Sequence, residues 1–288
     1  MFSYGARQNV RAEGIGGSGG RLKHKGKKPA KCSIHGQSAL EKPNFSVQNH
    51  SALDFRPPMR IAALPMFRPP KARAVEVACA LDTAGDLSAL PATNFAHVLG
   101  GTAGGTAVRA ALDALVTLGA LVADPQPRMF VYRAAHGGKR WMGLVCGADT
   151  RDLVHLFPNA AADEAISAAE ADLAVVDAQL VPGLIFIDAS PDLSYLFVCD
   201  TNERPAYHFV ASDGATHSAW EVRHPDAYLP ALAELAADEL HAGAAQVIAA
   251  HVAGQMPLVI LTSDRDVATA TGPLAPRCGL FIPRPSQR

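Results

Sequence analysis

Few side chains in this sequence have the type and spacing that chemistry needs, and the best of them lie between positions 188 and 251. Gly243 opens a helix-like stretch and is followed by Ala244, Ala245 and Gln246. A Gly before a helix lets the backbone approach an anion, and the first helical N–H groups are donors with no partner inside the helix. These four residues are the candidate anion site. The site has no acid and no Arg for bidentate contact with a phosphate. An ordinary helix start in an Ala-rich stretch is the competing reading. If the chain is an enzyme, Asp188, Asp213 and His217 are the candidates. Asp188 follows the apolar run 184–187, a place from which side chains face a crevice, or else it is a turn residue before Ser190 and Pro191. Asp213 lies in a hairpin turn, and His217 is expected to face His208 across that hairpin, with His224 nearby. Metal ligation needs a third ligand and a supporting shell, so no metal is assigned.

Other strings carry less. Residues 100–106 (G-G-T-A-G-G-T) stand between a strand-like and a helical stretch, where backbone N–H groups can cradle phosphate. No Lys-Ser/Thr follows, so a connector with Thr106 as helix cap is preferred. Residues 16–20 (G-G-S-G-G) match the nucleophile-elbow string, but no strand precedes them and no helix follows. Cys32 and His35 form a two-ligand fragment without a partner pair. Asp163, Glu164, Glu170, Asp172 and Asp177 read as the solvated face of a helix, the first two suiting its N-terminal dipole.

A near-neutral total charge of -1 hides an asymmetry. Eight of the 26 basic residues fall in 1–31 against one of the 27 acids, which leaves the remainder a net charge of -8. An acidic body argues against broad nucleic-acid binding. The five Cys are dispersed and form no C-x-x-C, which fits a reducing, cytoplasmic setting, with Cys146 and Cys199 as core residues. No apolar run reaches the length of a membrane span, and no h-region marks a secretory signal. A homo-oligomer is compatible with the sequence.

Residues 1–58 lack apolar periodicity and read as a disordered basic tail. A start placed too far upstream is the favoured explanation, with Met59 opening the folded part. A basic arm reaching nucleic acid through 7–31 is second, and a presequence is third. Residues 59–288 form the folded part, as one domain or as two lobes joined near 180–190. The positioning elements read as follows: strands at 94–99, 128–133, 140–145, 184–188, 206–211, 216–222 and 258–262, and helices at 106–121, 161–179, 225–237 and 243–253. His136-Gly137-Gly138 and Ser212-Asp213-Gly214 are hairpin turns. Hairpins interleaved with helices make the fold class α+β.

The segment H-F-V-A-S-D-G-A-T-H-S-A-W-E-V-R-H-P-D-A-Y (208–228) resembles the D-G-x-x-H-x-x-W-x-V hairpin of an uncharacterised prokaryotic family, the domain of unknown function 1015 family. That family is similar to the ParB/sulfiredoxin superfamily. Segments 94–99, 119–133 and 141–145 resemble it too, in the same order, so the likeness runs from Met59 to Pro283. It implies a ParB/sulfiredoxin-like α+β fold of mixed sheets, β-hairpins and packed helices. In the family an A-D-G-H-H-R-x-x-A-A motif follows, matched here by 241–250. Its Asp, both His and its Arg fall on Ala242, Ala244, Ala245 and Gln246, while Gly243, Ala249 and Ala250 are kept. The family's H-E-x-T element would fall at 157–161, where neither His nor Glu stands, and its P-P-Y-D element has no counterpart. In the superfamily such a Gly-containing loop holds nucleotide phosphates, and free-serine kinases use one for phosphoryl transfer. The resemblance thus implies a diverged, non-catalytic binding or interaction protein. The alternative is a nucleotide-dependent small-molecule kinase or phosphotransferase with relocated catalytic groups.

Overall fold

The computed structural model describes residues 59–80, 87–100, 105–149, 161–233, 235, 237–269 and 271–284. The expected tail 1–58, most of the Gly-rich stretch 100–106 and most of the H-E-x-T counterpart lie outside the described residues. Eleven strands are present among the described residues: β1 Ile61–Ala62, β2 Met66–Arg68, β3 Val122–Ala123, β4 Phe130–His136, β5 Lys139–Ala148, β6 Gly183–Ile187, β7 Tyr207–Val210, β8 Thr216–Glu221, β9 Ala237–Ala242, β10 Leu258–Thr262 and β11 Ile282–Pro283. The helices are α1 Ala74–Val77, α2 Ala96–Leu99, α3 Gly105–Thr117, α4 Asp163–Val176, α5 Pro191–Thr201, α6 Tyr228–Ala233 and α7 Ala244–Val252. The protein is therefore mixed α+β.

The main sheet has eight strands, ordered β7-β8-β4-β5-β10-β6-β9, with β1 also on β5. Only β6 and β10 run parallel; the other neighbours are antiparallel. Two turns explain the hairpins. Between β4 and β5, Gly137 and Gly138 take φ of 57° and 81°, the pair of positive angles a two-residue turn of matching twist requires. Between β7 and β8, Asp213 Oδ1 accepts from the Ala215 N–H at 3.0 Å and Gly214 takes φ 81°. A short second sheet, β11-β2-β3, lies alongside. There Arg68 grips Asp124 through Nε and Nη2 at 2.5 and 2.6 Å, and its guanidinium stacks 4.7 Å over Phe130.

Alternation along the strands sends side chains to two covered faces. On β10, Val259 and Leu261 join Ile185 and Ile187 of β6 against α5, α6 and α7. Leu258 and Ile260 join Leu184, Phe186, Tyr132 and Trp141 on the other face, under the C-terminal segment with Leu280 and Phe281. Both faces of β6 and β10 are buried, which is why these strands read as unbroken apolar runs. Residues 183–187 form one of these central strands.

Three local expectations need correction. Residues 94–99 hold a helical turn, α2, and no strand: Phe95 and Val98, three apart, both turn into the core, and Asn94 Oδ1 accepts from the Ala96 N–H at 3.0 Å. The Ser190-Pro191 pair opens helix α5, with Ser190 Oγ accepting from the Leu193 N–H at 3.3 Å and Pro191 in the first turn. The helix expected to reach 237 ends at Ala233, and Ala237–Ala242 pairs instead with β6 as an edge strand.

Candidate functional site

The start of α7 is where the sequence placed its anion site. Strand β9 delivers the chain to Gly243, which turns with φ 67° into the helix. A Cβ on Gly243 would lie 2.5 Å from the Pro182 carbonyl oxygen. This Gly therefore serves a close approach of the β9–α7 corner to the entry of β6. Ala244 is buried and Ala245 partly so. The Gln246 amide oxygen accepts from the Leu180 and Val181 N–H groups at 2.8 and 2.9 Å. The hollow beside Gln246 is about 10 Å³, lined mainly by Ala169, Leu173, Val176, Ala178 and Leu180, with Asp172 at its edge. That is room for about one water.

Asp213 and His217 meet elsewhere, through a residue the sequence did not single out. In the sheet register Ala134 of β4 and Phe209 of β7 flank His217, and Tyr132 sits one alternation away on the same face. His217 is fully buried. Its Nδ1 lies 2.6 Å from the Tyr132 hydroxyl, and its Nε2 accepts from Arg277 Nε at 2.8 Å. Arg277 also ion-pairs with Asp213 through Nη2, and its backbone N–H donates to the Tyr132 oxygen at 3.2 Å. A guanidinium can only donate, so Nε2 must carry the lone pair and the ring proton sits on Nδ1, shared with Tyr132. The result is a chain of four side chains running from a partly exposed carboxylate inward to a buried phenol.

Each member's acid strength follows from this burial. The His217 ring is pushed down to about 3, by burial first and by the Arg277 cation second, against the pull of Asp213. Burial alone would raise the Asp213 carboxyl, but the bonds from Arg277 and Ala215 outweigh it and hold the group below its ordinary value. Burial pushes the Tyr132 phenol well up. A pH dependence follows. The folded chain keeps His217 neutral where the unfolded chain, with an imidazole near 6.5, takes up a proton. This contribution is complete above about pH 6.5 and is lost as pH falls toward 3, by up to ~1.4 kcal/mol per pH unit. Urea melts taken from about pH 7 down to about pH 4 measure the slope. In His217→Gln it should flatten; an unchanged slope would show that another group carries it.

The remaining candidates stay apart from this cluster. Asp188 is exposed at the end of β6. His208 and His217 do not face each other, which corrects the sequence expectation. His208 pairs with Ser218 and its exposed ring bonds that hydroxyl at 2.9 Å, one residue out of phase and on the opposite face from His217. His224 is exposed before the turn into α6. Among the described residues no group of three His, Cys, Asp or Glu could hold a metal. No described helix is long and apolar enough to cross a membrane. An open groove of about 790 Å³ runs between α4 and α7, lined by Glu170, Leu173, Ala174, Asp177, Val252 and Gln255 among others.

Arg277 and Tyr132 are the polar residues that sequence reasoning missed. Tyr132 looks like any strand aromatic. Arg277 leaves one trace, a single charge inside the apolar run L-A-P-R-C-G-L-F-I at 274–282. A buried charge needs a partner, so that trace called for an acid or an acceptor elsewhere in the chain. Comparison with family models, curated proteins and solved structures finds no match to this chain.

Proposed function

We propose that this chain is a non-catalytic, diverged protein on a ParB/sulfiredoxin-like scaffold, and that it acts by binding or interaction. The observation that carries the reading is the filled turn at Gly243. The resembled family sets Asp, two His and Arg around this Gly; here the positions hold Ala242, Ala244, Ala245 and Gln246. Gly243 is seated on Pro182, and the Gln246 oxygen is occupied by two backbone donors. Phosphoryl transfer depends on positioned charge, and a single electrostatic donor is worth roughly a hundredfold or more in rate. Two interior cations of the described residues are paired with acids: Arg277 with Asp213 and Arg68 with Asp124.

A second reading, a nucleotide-dependent small-molecule kinase or phosphotransferase, draws on one observation, the meeting of Asp213 and His217 at Arg277. Against it, both ring nitrogens of His217 are engaged and the ring is fully buried. A thermal-shift titration of the full chain with ATP or ADP and magnesium at millimolar concentration separates the two. A nucleotide at a hundred times its Kd would stabilise the fold by ~2.7 kcal/mol, a rise of several degrees. The non-catalytic reading expects no shift; a saturable rise would overturn it.

A further inference from the structure

Cys79 and Cys278, near opposite ends of the folded part, are neighbours. They form an isolated antiparallel bridge, with the Cys79 N–H donating to the Cys278 carbonyl at 3.2 Å and the Cys278 N–H returning a bond at 2.9 Å. A pair that exchanges both bonds holds its Cα atoms about 5.5 Å apart with both side chains on one side. That separation lies within the roughly 4.4–6.8 Å range disulfides span. Both side chains are thiols in the structure and lie in one apolar cluster with Phe95, Val98 and Leu112. The Cys278 thiol is pushed well above its ordinary range by burial and, second, by Cys79 beside it.

We propose that Cys79 and Cys278 form a modification site, a reversible disulfide that staples the segment after α1 to the C-terminal segment carrying Arg277. The oxidant is a small hydroperoxide. Cys79, at 6% exposure the more accessible of the two against 2% for Cys278, gives up its proton and its sulfur attacks a peroxide oxygen. The O–O bond breaks, leaving a sulfenic acid on Cys79, and the departing hydroxide takes the proton to become water. The Cys278 sulfur then attacks the Cys79 sulfur. The S–S bond forms as the S–O bond breaks, and the second hydroxide leaves with the Cys278 proton as water. Two thiols lose two electrons, and one hydrogen peroxide becomes two waters. A dithiol reductant reverses the step by exchange.

The consequence is structural as well as covalent. Arg277 precedes Cys278 and donates from its backbone to Tyr132. A staple at 278 therefore anchors the segment that supplies the cation of the buried cluster. Closing so long a loop constrains the unfolded chain strongly, and the expected rise in Tm is on the order of 10 °C.

The test uses the full chain, reduced and then incubated with hydrogen peroxide. Remaining thiols are alkylated, and the protein is digested without reductant for mass spectrometry. A peptide linking Cys79 to Cys278 is expected, with a higher Tm that dithiothreitol reverses. Cys278→Ser should show neither. If that variant fails to fold, the oxidised and reduced forms of the unaltered chain decide the matter alone. Alkylation of both cysteines after oxidation, linkage through Cys146 or Cys199, or over-oxidation without a cross-link would overturn the site. A cross-link with no rise in Tm would overturn the staple.

Discussion

Arg277→Leu is expected to lower the unfolding free energy by about 1 to 3 kcal/mol, the cost of leaving a buried hydrogen-bonding group without its partner. Arg277 is 6% exposed and serves three groups at once. Its loss leaves the His217 Nε2 lone pair buried without a donor, while Asp213, with about a third of its side chain exposed, can turn to water. The damage should therefore trace to His217. A double variant separates the two effects. Replacing both Arg277 by Leu and His217 by Phe removes donor and acceptor together, and such paired apolar replacements are often close to neutral. The double variant should recover much of the stability lost in Arg277→Leu. Asp213→Asn should cost about 1 kcal/mol, as befits a rim partner. Urea denaturation midpoints at constant slope measure all three.

Gly243→Ala is the second large expectation, at about 2 to 5 kcal/mol. The left-handed conformation accounts for about 1 to 2 kcal/mol. Displacing the backbone under a methyl group adds about 1 to 3 kcal/mol, because the new Cβ would meet the Pro182 oxygen at 2.5 Å and the Gly183 Cα at 3.2 Å. Gly254 supplies the control. It has a similar φ of 71° but nothing within 4 Å of an added Cβ, so Gly254→Ala should cost only the conformational part, about 1 kcal/mol. A Gly243→Ala effect no larger than that of Gly254→Ala would mean the β9–α7 corner is looser than its geometry.

The features legible in the sequence are those whose cause is local. The β4–β5 hairpin followed from two adjacent glycines flanked by alternating strands, and the β7–β8 hairpin from Asp213-Gly214. β6 and β10 stood out as short apolar runs, but their parallel pairing did not. It depends on a crossover holding three helices (α5, α6 and α7), a hairpin and β9, none of which fixes strand order by itself. Asn94-Phe95-Ala96-His97-Val98-Leu99 reads as a strand because a short apolar run has no periodicity to decide; the spacing of Phe95 and Val98 into the core decides it in the fold. Ser190-Pro191 carries the signature of a helix start as clearly as that of a turn, and the apolar stretch after it was the missing clue.

The candidate site divides the same way. Gly243 was found because a positive-φ glycine before a helix has a sequence signature, and its duty, seating on Pro182, was hidden because Pro182 stands just before β6, far away in the sequence. Asp213 and His217 were found from the hairpin that bears them. Arg277 was not, since it stands 60 positions beyond His217 and 145 beyond Tyr132. A contact of that range leaves no trace in local spacing. A lone Arg in an apolar run shows only that some partner must exist.

The proposed reading is that the turn at Gly243 does not support phosphoryl chemistry. The most direct measurement is phosphate release and transfer from γ-labelled ATP, with the full chain in excess over nucleotide and magnesium present. The expected result is label in ATP alone, at the level of buffer without protein. Label released or transferred above that level, and abolished by Asp213→Asn or His217→Gln in variants that keep their fold, would contradict the account and make the Asp213–Arg277–His217 cluster catalytic.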